Sequence, residues 1–176
     1  MIIGGALGGV VVYRLARWAS TPLARWLGLY RYYSPMMFTV PFGRNTVELH
    51  VGTSWDYFRT QHRSQHDVLR SLTQGLLAMV EEAERGQLPL SRKLRGTVYY
   101  FGGRTLSRFG FSMRSMNPIE TVMFLLNWAE LCLLYSITRG KICFVRVSDV
   151  RVVHTTVSAL VEKKRELEAL KRALGT

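Results

Sequence analysis

Acidic residues are missing from the first 47 positions: no aspartate or glutamate precedes Glu48, although Arg14, Arg17, Arg25, Arg31 and Arg44 do. A second acid-free run, between Glu84 and Glu120, holds Arg85, Arg92, Lys93, Arg95, Arg104, Arg108 and Arg114. Cysteine is nearly absent too. Cys132 and Cys143 are the whole supply, which excludes a disulfide framework and any zinc site built on paired thiols, and fits a reducing compartment. No Gly-Xaa-Ser-Xaa-Gly elbow occurs, and no P-loop lysine follows Gly102-Gly103, so two common catalytic signatures are missing. Nothing in the sequence points to a bound cofactor. Charged residues are only 20% of the chain and hydrophobic ones 48%, which excludes a disordered polyampholyte or a collagen-like chain. The mean hydropathy of +0.05 is high for a soluble domain and too low for a bundle of membrane spans.

What is present is a basic chain of 176 residues, with a net charge of +12 from 24 Lys and Arg against 12 Asp and Glu. That length holds one domain plus an appendage. The surplus favours polyanions: nucleic acid, acidic lipid or an acidic partner protein. The two acid-free runs are where such a partner is expected.

The opening run MIIGGALGGVVVY is free of charge over 13 residues. As a helix it reaches about 20 Å, and extension through Leu15, Ala16, Trp18 and Ala19 brings it near the roughly 30 Å of a hydrocarbon slab. Gly4 with Gly8, and Gly5 with Gly9, form two overlapping G-x-x-x-G pairs. In water each glycine costs a helix about 1 kcal/mol relative to alanine. In lipid the same residues give a flat face on which another helix packs closely. The arginines follow the apolar run, the order of a membrane anchor rather than of a signal peptide. Residues 1–19 are therefore expected to form a membrane-embedded or subunit-embedded helix.

Residues 20–37 mix arginine with aromatic rings, and Ser20-Thr21-Pro22 reads as the start of a second, short interfacial helix. Arg14, Arg17, Arg25 and Arg31 are the residues expected to meet an anionic lipid such as cardiolipin, or an acidic partner.

Residues 38–176 read as one α+β domain, a mostly antiparallel sheet covered by three helices. Phe38, Val40 and Phe42 alternate, Gly43-Arg44-Asn45 turns, and Val47, Leu49 and Val51 alternate again, which predicts a hairpin. The spacing of Val68, Leu69, Leu72, Leu76, Met79, Val80 and Ala83 predicts a helix over 65–85. Thr97–Phe101 and Leu106–Phe111 suggest a second hairpin. Asn117 as N-cap, Pro118 at N1 and Glu120 at N3 open a helix to about Thr138. It is apolar nearly all round and is expected to be buried. A strand or bent pair over Lys141–Val153 and an amphipathic helix over Thr155–Leu174 complete the order.

His62 and His66 stand four apart, a spacing that suits two metal ligands but lacks a third. His62 followed by Asp67 after four residues resembles the glycerolipid acyltransferase motif, in which the aspartate holds a histidine that deprotonates an acceptor hydroxyl. No glycine-bearing phosphate-binding motif of that family follows it. Tyr99, Arg104, Arg108, Phe109 and Phe111 interleave rings with guanidiniums, as stacking on bases and neutralising phosphates require. The fragment Arg108-Phe109-Gly110-Phe111 resembles one strand of RNA-recognition-motif domains over fewer than ten residues, without the glycine expected after the basic residue.

Three functions follow in order of weight. The first is a non-catalytic accessory subunit of a membrane-bound complex, with the mitochondrial inner membrane fitting the arginine surplus and other subunits as partners. The second is an RNA-binding component of an organellar ribonucleoprotein or ribosome. The third is a small membrane-bound acyltransferase-like enzyme using His62.

Overall fold

The computed structural model describes residues 2–60, 64–99 and 103–175. They form an α+β fold around a mixed six-stranded sheet. Helix α1 (Ile2–Trp26) leads into strands β1 (Arg31–Ser34), β2 (Met37–Pro41) and β3 (Thr46–Val51), then helices α2 (Ser54–Thr60) and α3 (Gln65–Glu84). Strand β4 (Lys93–Val98), helix α4 (Gly103–Arg108), strand β5 (Ser112–Arg114) and helix α5 (Pro118–Arg139) follow. A 3-10 turn at Val147–Asp149, strand β6 (Arg151–Thr156) and helices α6 (Val157–Glu162) and α7 (Lys164–Ala173) end the chain's order.

The strands lie in the order β1-β2-β3-β4-β6-β5. All neighbours are antiparallel except β3 and β4, whose parallel pairing requires the long crossover through α2 and α3. Register and the period-2 alternation of strands sort the side chains. Met37, Leu49, Leu94, Gly96 and Val153 fall on one face; Phe38, Glu48, His50, Arg95 and Thr97 fall on the other.

The first face carries the main core, where Met37, Leu94 and Val153 meet Leu77, Val80 and Ala83 of α3, Val157 and Leu160 of α6 and Leu167 of α7. Helix α3 starts as its sequence directs: Ser64 and Asp67 form a reciprocal capping box. Gly75 inside it has a packing reason. A β-carbon there would sit 2.5 Å from Met37 Sδ and 2.9 Å from Met37 Cβ. The carboxylates at its C-terminus, unfavourable to the helix dipole, have cationic partners: Arg31 reaches Glu82 at 2.7 Å and Lys164 reaches Glu84 at 2.8 Å.

Several expectations need correction. Residues 2–26 are one helix, without a break for a separate interfacial helix at Pro22. A proline in a helix interior leaves the carbonyl four residues earlier without its amide partner. Here the indole Nε1 of Trp55 donates to the Trp18 carbonyl at 3.0 Å, filling that vacancy. Part of the segment assigned to 20–37 also belongs to the sheet, as β1.

The expected return strand over Leu106–Phe111 is instead α4 and a turn at Gly110, where φ is +77°. Leu106 and Phe109 stand one helical turn apart, and both enter the core with Phe111. Strand β5 begins only at Ser112. Lys141–Arg146 is not a strand. Its backbone is held by α5 side chains: Trp128 Nε1 donates to the Val145 carbonyl at 2.8 Å, and the Cys143 amide donates to Ser136 Oγ at 2.9 Å. The final helix divides at Lys163 into α6 and α7, and Thr155 and Thr156 remain in β6.

Helix α5 is the largest departure. Its capping box of Asn117 and Glu120, with Pro118 at the first position, forms as the sequence implies. Yet it is not a buried core helix: only Phe124, Cys132, Leu134 and Thr138 are buried. Among the described residues it is the one helix long and apolar enough to cross a membrane.

Candidate functional site

Helices α1 and α5 border the face of the sheet that α3 leaves uncovered. Between them lies a groove of about 620 Å³, floored by Phe38, Glu48, His50 and Arg95. Tyr13, Trp18 and Thr21 of α1 contribute one wall, and Met123, Asn127 and Glu130 of α5 another.

Helix α1 is tied to this body by aromatic and ionic contacts near its C-terminal half. Trp18 stacks on Trp55 with ring centres 4.5 Å apart, in addition to the indole hydrogen bond. Asp56, 2% exposed, accepts from the Thr53 amide and hydroxyl at 2.8 Å each and from Tyr32 at 3.0 Å. Arg25 reaches the same carboxylate at 3.4 Å while lying 4.5 Å over the Tyr32 ring. Burial, then the Asp56 charge and hydrogen bond, push the Tyr32 hydroxyl well above its ordinary range. Asp56 is thus a buried node joining α1, β1 and α2.

The groove floor holds a second ionic network. Arg95 donates to Glu120 at 2.8 Å and approaches Glu48 at 3.7 Å, with its guanidinium 4.6 Å over Phe42. Arg114 reaches the other oxygen of Glu120 at 2.7 Å. The Arg114 hydrogen bond, the Asn117 amide and the two guanidinium charges outweigh desolvation and lower Glu120 to about 2. Glu48 is also lowered, first by its hydrogen bond with His50 and then by the charges of His50 and Arg95, against desolvation. A carboxylate held as low as Glu120 is a poor general base at neutral pH. What the network does is pin the start of α5 to β4 and β5. Farther along α5, Ser54 of α2 donates to Glu130, and Leu134 packs with Met36, Tyr57 and Val68. Both carboxylates of α5 therefore face the body.

Of the sequence-predicted residues, Gly4, Gly5, Gly8 and Gly9 all lie on α1, and nothing approaches the Gly9 β-position within 4 Å. Arg14 and Arg17 also lie on α1, with side chains outside the described residues. Arg25 and Arg31 are turned onto carboxylates of their own chain, Asp56 and Glu82. The proposed stacking patch is not assembled at the surface: Phe109 and Phe111 are core residues, and Tyr99 sits edge-on to Tyr135 at 5.9 Å. Arg108 is exposed at the end of α4; the Arg104 side chain lies outside the described residues. His62 lies outside them as well. Its motif partner Asp67 serves in the α3 capping box, accepting from Ser64. Among the described residues no three His, Cys, Asp or Glu side chains converge as a metal site would need.

The sequence reading missed the outward face of α5 and the loop after it. Their signal is a helix apolar on every side, a pattern that in the sequence is the same for a buried helix and an exposed one. Against protein-family models, curated proteins and solved structures alike, the chain finds no match.

Proposed function

We propose that this protein is a non-catalytic accessory subunit of a membrane-bound complex, held there by α1, which embeds in the membrane or against a neighbouring subunit's helix without having to span the bilayer by itself. The observation that carries the reading is the surface of that helix: Val11, Val12, Leu15, Leu23 and Trp26 are exposed, and Gly9 has open space beside it. A glycine-bearing helix with uncovered apolar side chains is unfavourable in water and favourable against lipid or a neighbouring helix. Twenty-five residues of helix extend about 37 Å, and Trp18, Arg25 and Asp56 fix where the helix joins the body. Gly4, Gly5, Gly8 and Gly9 supply the close-packing face, with Arg14 and Arg17 at the anionic boundary.

Alkaline carbonate extraction of cell membranes tests this directly. The protein should stay in the pellet, and Gly4→Leu/Gly8→Leu should stay there too but lose its co-purifying subunits in mild detergent. Quantitative release of the unaltered chain into the supernatant would refute the anchor.

A further inference from the structure

We propose that the outward face of α5 and the loop that follows it form a second docking surface, for an anionic lipid bilayer. The proposal rests on the membrane-bound reading above but concerns different residues. Ile119, Val122, Leu126, Ala129, Leu133 and Ile137 recur at spacings of three and four along α5, which places them on one side of a helix. That side is uncovered: Ile119 is 75% and Leu133 54% exposed. Glu130 falls at the same spacing, four after Leu126 and three before Leu133, but its carboxylate turns to Ser54 of α2, and Glu120 turns to Arg95.

Past the left-handed stop at Gly140, on the side of α5 carrying Trp128, Cys132 and Ser136, the loop adds two more uncovered apolar side chains, Ile142, 84% exposed, and Phe144, 67% exposed. Trp128 stacks beneath Phe144 at 6.0 Å, and Trp128, Cys132 and Ser136 hold the loop backbone, so the two side chains project from a supported edge.

Charge selects the occupant. Arg139, Lys141 and Arg146 are exposed around the apolar tip, with no acidic residue between Glu130 and Asp149. A purely apolar partner helix would leave three cations without a counter-charge, and a second copy would set cation against cation. A bilayer of anionic headgroups over acyl chains satisfies both features: each cation near such a surface contributes attraction while the apolar tip enters the interface. Helix α5 then lies along the membrane plane, its carboxylates kept on the protein side, rather than spanning.

The test uses the full chain carrying Ile142→Trp and vesicles of 70% phosphatidylcholine and 30% phosphatidylglycerol with brominated acyl chains. Fluorescence beyond that of the unaltered chain should be quenched on vesicle binding. Adding Lys141→Gln/Arg146→Gln should lower the quenching of that added indole at saturating vesicles several-fold. Arg172→Gln, a charge loss on α7, should leave it unchanged. Since Ile142 and the two cations are exposed, these variants keep the fold, which circular dichroism verifies. Vesicle-bound protein whose added indole stays unquenched overturns this docking surface while leaving the α1 anchor intact. A concentration-dependent blue shift without vesicles overturns it in favour of self-association. Release by carbonate, measured separately, is the failure of the anchor.

Discussion

Helices α3 and α5 are near twins in design and opposites in placement. Each opens with a capping box, each is about 20 residues long, and they belong to opposite sides of the sheet. Helix α3 buries eight of its 20 residues and α5 four of its 22, although α5 is the more apolar sequence. Hydrophobicity alone would reverse that ranking. The inversion teaches that α3 is covered by its own chain, whereas most of α5 is not. The polar groups agree. Glu82 and Glu84 at the end of α3 are paired outward with Arg31 and Lys164, while Glu120 in the first turn of α5 and Glu130 at its middle turn inward to Arg95, Arg114 and Ser54.

The widest separation between the two sides should appear on truncation. Leu94, fully buried between the sheet and the α3 layer, should lose about 2–5 kcal/mol of stability as Leu94→Ala. Leu133→Ala on the outer face of α5 should stay within about 0.5 kcal/mol for the isolated chain. Urea denaturation measures both. A core-sized cost at Leu133 would mean that α5 is covered by its own chain, and the comparison would fail.

Glycines sharpen the contrast at smaller magnitude. Gly75→Ala gains up to about 1 kcal/mol of helix propensity but drives a methyl into Met37, a clash that costs about 1–3 kcal/mol. We expect net destabilisation near 1 kcal/mol and a melting temperature lower by about 2–4 °C. Gly9→Ala in α1 meets open space and should raise helicity without lowering the melting temperature. A rise in stability at Gly75 would show that Met37 yields easily and that the α3 interface is looser than its geometry.

Much of this was legible in the chain. The β2–β3 hairpin, the span of α3 and the capped start of α5 follow from alternation, period and cap residues, signals that are local and that the tertiary structure did not override. What was hidden depends on distant partners. Pro22 looked like a helix start because the indole that satisfies the Trp18 carbonyl comes from Trp55. Phe109 and Phe111 looked like strand neighbours because Gly110 separates them, yet Leu106 and Phe109 belong to one helical turn. Ile142 to Val145 reads as strand by composition, and no sequence rule says that Ser136 and Trp128 will hold its backbone. The candidate site was legible in α1 alone. The exposure of α5 was not, because an all-round apolar helix looks the same whether its cover is internal or external.

Acid probes the pin that fixes α5. Glu120 sits at about 2 in the fold against an ordinary value near 4.5, through Arg114 first, with Asn117 and Arg95 adding. A folded value depressed in this way gives stability that is complete above pH 4.5 and fades as pH falls from 4.5 towards 2. Glu120→Gln should therefore be less stable than the unaltered chain at pH 7, with the gap closing across that window. Denaturation midpoints at a series of pH values measure it. A gap of constant size down to pH 2 would mean that the lost interaction is the Asn117 cap geometry rather than the charge.

The smallest effect is expected where α1 meets the body. Trp55→Phe keeps a ring opposite Trp18 but removes the N–H that satisfies the Trp18 carbonyl freed by Pro22. The carbonyl is near the surface and can take water instead, so global stability should change by less than about 1 kcal/mol. The loss should be local. Amide exchange along residues 11–26 should quicken while α3 stays protected, because α1 hangs on Trp55 and Asp56 whereas α3 hangs on the whole core. Equal acceleration in both helices would join α1 to the cooperative core and remove the physical distinction between a body that folds around its sheet and a helix tied to that body near one end.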